Sequence, residues 1–265
     1  MKKLIDVMKK LRGPGGCPWD KKQSLDSLTP CLIEETSEII DAVLENEQDK
    51  IEEEIGDLLC IVTMMIAIGE EEGSFTRKSV IEQAVKKMTH RHPHVFAGKK
   101  VKGYEQAHSV WHEQKNKEKG IKARKSVVDD ISTVLPALHR ADKIGRRVSR
   151  VGFDWDSLIG PMKKIREETK ELEDELKKKT KNISHIEEEI GDVLFSVVNV
   201  ARKLKLNAEI ALRKTNNKFV RRFKELERAI SREGKDMKDL SLDELDVYWE
   251  AAKNKIRKSR AKSKE

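Results

Sequence analysis

Ile51-Glu52-Glu53-Glu54-Ile55-Gly56-Asp57-Leu58-Leu59 comes back almost unchanged as Ile186-Glu187-Glu188-Glu189-Ile190-Gly191-Asp192-Val193-Leu194. A second acidic cluster lies a few turns upstream of each copy: Glu34-Glu35-Thr36-Ser37-Glu38 before the first, Glu167-Glu168-Thr169-Lys170-Glu171 before the second. A helix advances about 100° per residue. On that wheel Ile51, Ile55, Leu58 and Val62 form one apolar stripe, expected to face the core, with Glu54 and Asp57 together on its flank. Upstream, Leu32, Ile39 and Val43 make the stripe, with Glu35 and Glu38 on the same flank. The second copy repeats both patterns. Glu168 and Glu171 flank Ile165, Leu172 and Leu176, and Glu189 and Asp192 flank Ile186, Ile190, Val193 and Val197. Two such helices packed antiparallel bring four carboxylates together.

Like charges at this spacing cost about 0.2–0.5 kcal/mol per pair on an exposed helix, and more when partly buried. A bound cation offsets that cost. Oxygen ligands without Cys or His suit Mg²⁺, with Mn²⁺ as a substitute. A single Glu-x-x-Glu reads most simply as a solvated face, because Glu is a good helix former. Its recurrence at one wheel position turns the reading toward metal. The candidate ligands are Glu35, Glu38, Glu54 and Asp57 in the first half, and Glu168, Glu171, Glu189 and Asp192 in the second.

The chain of 265 residues has room for two ordinary domains. It is 37% hydrophobic, 38% charged and only 5% aromatic, which suits amphipathic helix bundles better than one large core. The net charge of +8 favours anionic ligands such as nucleotides. Cys17, Cys31 and Cys60 show no Cys-x-x-Cys spacing and leave one thiol over, which points to a reducing, cytoplasmic setting. No apolar run is long enough to span a bilayer, and no signal-peptide core follows Met1-Lys2-Lys3, so no membrane partner is expected.

Residues 3–12 predict a short amphipathic helix, which Gly13-Pro14-Gly15-Gly16 must end. These glycines are not a phosphate loop, since no Gly-Lys-Ser/Thr follows and no strand precedes. Helices are expected at about 29–47, 49–72, 76–89 and 104–117. His90, His92 and His94 alternate as zinc ligands sometimes do, but Pro93 prevents a continuous helix and no fourth ligand is evident. A loop positioning Arg91 is the better reading. Residues 118–126 read as a polar linker between domains 1–117 and 127–252, and 253–265 as a basic tail, expected to be frayed. The second half predicts helices over 127–148, broken at Pro136, and over 157–179, 182–204, 208–233 and 242–255.

The repeat extends past the acids. Lys87-Met88-x-x-Arg91 answers Lys218-Phe219-x-x-Arg222, and Trp111 with Lys115 answers Trp249 with Lys253. Lys and Arg four apart share a helix face, and the Arg fork suits phosphate oxygens. Trp111 and Trp249 either anchor a core or stack on a base or ribose. Metal-binding acids together with such cations form a constellation for phosphoryl or nucleotidyl chemistry, in which metal lowers the pKa of a bound water. No covalent nucleophile is evident from the spacing.

Glu167-Glu168-x-x-Glu171, Glu189-x-x-Asp192 and Lys218-Phe219-x-x-Arg222-Phe223 resemble the MazG nucleoside triphosphate pyrophosphohydrolases. So do Gly16-Cys17-Pro18-Trp19-Asp20 and His90-Arg91-His92-Pro93-His94-Val95-Phe96, which are similar to the amino-terminal half of that family. The resemblance implies an all-α protein of two tandem related helical-bundle domains, of the all-α NTP pyrophosphatase type, assembled as a homodimer. It implies Mg²⁺-dependent hydrolysis of NTPs and dNTPs to the monophosphate and pyrophosphate by metal-activated water, as nucleotide-pool housekeeping. It implies Glu168, Glu171, Glu189 and Asp192 as the catalytic metal set. Lys164, Lys218 and Arg222 would hold phosphates, with Glu167, Glu168, Glu188, Asp192 and Trp249 at the nucleotide, and Lys87, Arg91 and Trp111 in the same places in the first copy. Two other readings predict different behaviour. A nucleic-acid binder using the basic tail, not expected as the main function, would lose binding steeply with salt. A purely structural bundle would bind no Mn²⁺.

Overall fold

A computed structural model of the chain describes residues 2–118 and 126–262, and no strand occurs among them. The chain divides into two compact units, Met1–Ala123 and Arg124–Glu265. The first holds α1 (Lys2–Arg12), α2 (Pro18–Lys21), α3 (Thr29–Glu45), α4 (Gln48–Glu71), α5 (Arg77–Arg91), α6 (Pro93–Phe96) and α7 (Gly103–Lys117). The second holds α8 (Ala137–Ser149), α9 (Ile159–Lys177), α10 (Ile183–Lys203), α11 (Ala208–Arg232) and α12 (Leu242–Lys262), with a 3-10 turn at Met237–Asp239. Most of the stretch read as a linker, residues 119–125, lies outside the described residues.

Local chemistry sets the helix ends. α3 starts with Pro30 in its first turn, where no amide donor is needed, and stops at Asn46 in the left-handed conformation, φ 60°. The short link Asn46-Glu47 then returns the chain along α3 as α4. α5 opens on a reciprocal capping box between Thr76 and Ser79. It runs to Arg91, past the expected end near residue 89, so Arg91 is held on the helix with Lys87 and not by a loop, and Pro93 starts the separate turn α6. Asn182 and Asn207 cap α10 and α11 by accepting hydrogen bonds from the amides of Ser184 and Ile210.

The two units repeat one packing scheme. α3 pairs with α4, and α9 with α10; α1 crosses α4 as α8 crosses α10; α5 meets α7 as α11 meets α12. In the first unit Met8, Leu28, Met64, Ala67 and Ile68 form the core, with Leu4, Leu11 and Leu25 around it. In the second, Leu226, Ile230 and Ala252 join α11 to α12, with Met237, Leu240 and Tyr248 against them. The interiors differ where α10 repeats α4. Met64 and Ala67 are answered by Asn199 and Arg202, both buried. Arg202 donates to Asp154 at 2.6 and 3.0 Å and to Asn199 Oδ1 at 3.2 Å, which ties the loop after α8 to α10. Gly145 makes room for this: a Cβ there would come within 2.9 Å of Arg202 Nε.

Three further expectations need correction. The apolar stripes are not fully core-facing. Val43 and Ile55 are about half exposed, as are Leu176, Ile190 and Val197. Each hairpin buries mainly the distal part of its second helix, for example residues 63–69 of α4. Nor is the first part of 127–148 helical: residues 126–136 form turns, and the helix starts only at Ala137. There Asp130 adopts a positive φ, and Arg147 reaches back to the carbonyls of Val127 and Asp129. Finally, the basic tail is not frayed along most of its length, because α12 continues to Lys262. Ala252 is buried on α11 and Lys255 pairs with Glu225, so the last turns grow from an anchored helix of good helix formers.

Candidate functional site

The α9–α10 hairpin brings Glu168, Glu189 and Asp192 together: one carboxylate oxygen from each lies within 4.8 Å of the others. Glu168 is the most buried of the three, only 4% exposed. Glu189 Oε2 is buried with no hydrogen-bond partner. Glu171 stands outside the triad but close to it. Burial, then the charges of Glu168 and Glu189, raise its pKa. The α3–α4 hairpin does the same with a different choice of acids: Glu35, Glu38 and Glu54 form the triad, within 4.8 Å. Asp57 is the outlier here and reaches Glu35 electrostatically. Burial first, then Asp57, Glu38 and Glu34, raise the Glu35 pKa, and burial followed by Glu38 raises that of Glu54. Each antiparallel pair therefore stores unfavourable negative charge at its middle, and hard cations relieve it best.

Lys164 responds to that charge in the second half. Its Nζ lies 2.5 Å from Glu168 Oε1 and 2.8 Å from Glu167 Oε1. Those hydrogen bonds raise the lysine pKa and lower that of Glu167. Glu188 is exposed on α10.

The basic residues gather on the other helix pair of each unit. On α11 and α12, Phe219 stacks with Phe223, ring centroids 6.1 Å apart, and meets Trp249 at 4.9 Å, while the Arg222 guanidinium lies 5.9 Å from the Trp249 ring. On α5 and α7, Arg91 lies 5.2 Å and Lys115 4.9 Å from the Trp111 ring. Lys87 is exposed one turn before Arg91. Among the described residues no ion pair joins Lys87, Arg91, Lys218 or Arg222 to the acid triads. Each unit thus presents an acid hairpin and a basic-aromatic helix pair as separate sets. Sequence reasoning missed two residues that matter here. Glu118 receives the Arg91 fork, and Asp154 receives that of Arg202. Both partners are distant in sequence, so periodicity carried no signal for them.

The MazG nucleotide pyrophosphohydrolase domain matches the chain twice, over residues 23–96 and 159–238. The chain belongs to the MazG family. Each match spans one acid hairpin and the basic helix after it. Nucleoside triphosphate pyrophosphohydrolase/pyrophosphatase MazG of Thermotoga maritima is 44% identical over 250 residues, 94% of each chain. The nucleoside triphosphate pyrophosphohydrolase of Escherichia coli is 39% identical over 95% of this chain and 96% of its own. Among solved structures, a mazG-related protein from Thermotoga maritima is 32% identical, with a TM-score of 0.39, and covers 44% of this chain and 100% of its own. With the family domain matched twice, the all-α tandem architecture is that of a MazG protein with two domains. Trp111, Glu118 and Trp249 fall outside both matched spans.

Proposed function

We propose that the acid hairpins bind divalent metal, Mg²⁺ or Mn²⁺, and that the protein hydrolyses NTPs and dNTPs to the monophosphate and pyrophosphate. As a MazG protein the chain is a hydrolase of phosphoric anhydrides. The observation that carries the metal reading is the duplicated triad of carboxylate oxygens within 4.8 Å, joined by the orphaned, buried Glu189 Oε2. Glu168, Glu189 and Asp192 would hold the ion in the second half, with Glu171 beside them; Glu35, Glu38 and Glu54 would do so in the first, with Asp57 beside them. Bound there, Mg²⁺ supplies charge neutralisation for a triphosphate and a lowered pKa for water.

The chain's own residues supply the rest. Lys164, now held by Glu167 and Glu168, is free to turn to a phosphate once a cation takes over Glu168. The forks of Arg222 and Arg91, with Lys218 and Lys87, clamp the departing pyrophosphate. Trp249 and Trp111 cover the nucleoside face. A homodimer is part of this proposal, since the half-exposed stripes on both hairpins need a cover. So are a cytoplasmic location, in keeping with three free thiols, and a housekeeping role in the nucleotide pool.

The test pairs Glu189→Gln with Glu54→Gln. Pyrophosphate release should fall at least about a hundredfold, with an unchanged circular-dichroism spectrum and loss of Mn²⁺ binding by electron paramagnetic resonance. Mg²⁺-dependent turnover that survives in this variant overturns the assignment.

A further inference from the structure

The two units hold their basic pairs differently. In the first, Arg91 Nε donates to Glu118 Oε1 at 2.7 Å and Arg91 Nη2 to Glu118 Oε2 at 2.6 Å. This fork-on-fork arrangement is the one arginine uses for carboxylate or phosphate. The pair is partly buried. The hydrogen bonds from Arg91, followed by the charges of Arg91, His90 and Lys87, hold the Glu118 carboxyl below the usual range. Glu118 therefore sits as an anion among the cations that α5 offers.

Among its described residues the second unit shows no such occupant. Among the described residues no carboxylate pairs with Lys218 or Arg222, and Arg222 Nε is buried without a hydrogen-bond partner. Setting Trp111 and Lys115 against Trp249 and Lys253 puts Ile256 opposite Glu118. An isoleucine side chain accepts nothing.

We propose that Glu118 is an internal competitor for the triphosphate. Its carboxylate takes the anion position of Lys87 and Arg91, so the first unit binds nucleotide more weakly than the second, and only by displacing Glu118. This rests on the reading that the basic pairs hold phosphates. It makes Glu118 the residue that sets the two halves to different nucleotide concentrations. The plainer alternative is a structural pair that fastens the end of α7 to α5. Losing that would lower stability without raising affinity.

Isothermal titration of the full chain, with Mg²⁺ and an α,β-methylene triphosphate, separates these cases. Lys218→Ala with Arg222→Ala silences the second unit, leaving the first to be read alone. In that background Glu118→Gln should tighten binding roughly three- to tenfold, and adding Arg91→Ala should remove the gain. The reciprocal change, Ile256→Glu in the otherwise native chain, should weaken the second unit by a similar factor. Binding that is measurable but unchanged by Glu118→Gln, with or without a lower Tm, overturns the competitor and leaves the phosphate reading standing. If neither silenced chain binds while the native chain binds one analogue, the first unit is no nucleotide site, and both ideas fail there.

Discussion

Lys164 Nζ and Glu168 Oε1 lie 2.5 Å apart at the middle of α9, and Cys31 stands where Lys164 would be in the first unit. The second hairpin pairs its buried acid with a lysine, and the first has a cysteine at that position. Lys164→Met should therefore tighten Mn²⁺ binding to the second triad by about three- to tenfold, a modest change because the lysine is partly solvated. Pyrophosphate release should fall about tenfold or more, because the same lysine is proposed to hold a phosphate. Metal titration and turnover moving in opposite directions is the expected signature; looser Mn²⁺ binding would count against it.

The interior of the second unit should be sensitive to acid. Hydrogen bonds from Arg202 bring the Asp154 pKa from 3.8 down to about 2. A pKa depressed by folding contributes stability that is complete above the unfolded value and is lost as pH falls through the folded one. The window is thus pH 4 to 2, by the same values. Asp154→Asn should lower stability at neutral pH and flatten its decline across that window, as read by chemical denaturation at several pH values.

Packing predicts where single truncations hurt. Ile230 is 2% exposed in the cluster joining α11 to α12. Ile230→Ala should cost about 2–5 kcal/mol. Leu242, at 82% exposure, should tolerate alanine within about 0.5 kcal/mol. Urea unfolding of the two variants makes the comparison.

If a second copy covers the stripes, a charge placed there should dissociate it. Ile190→Lys and Val197→Lys target side chains 46% and 45% exposed in the single chain. Each should shift sedimentation toward the monomer and leave helicity intact. Monomeric native protein would remove the dimer from the proposal.

Much of the fold is legible because helices write a 3.6-residue period into the chain. The two hairpins and the shared flank of Glu54, Glu38, Glu189 and Glu168 follow from that period alone. Pro93 likewise shows that no single helix runs through His90, His92 and His94, although α5 reaches Arg91, where the sequence predicts a loop. What the period does not say is which neighbour covers a stripe, so Ile55 and Ile190 read as core and prove half exposed. It also weighs four acids equally, whereas packing draws Glu38 into the first triad and Asp192 into the second. Residues 126–136 misled because Val127 and Val128 look apolar enough for a helix, while Arg147 holds their backbone in turns. Pairs such as Arg91 with Glu118 meet only after the chain has folded back.

The tight Asn46-Glu47 link has an evolutionary corollary. Residues inserted at that bend, beyond the last turn of α3 and before the first of α4, leave both helical registers untouched. One residue inserted inside α3 between Glu38 and the bend would swing Glu35 and Glu38 by about 100° away from Glu54. Length variation in homologous chains should accordingly concentrate at the bend and avoid the helix arms, and a circular permutant opened at Asn46 should retain its acidic clusters.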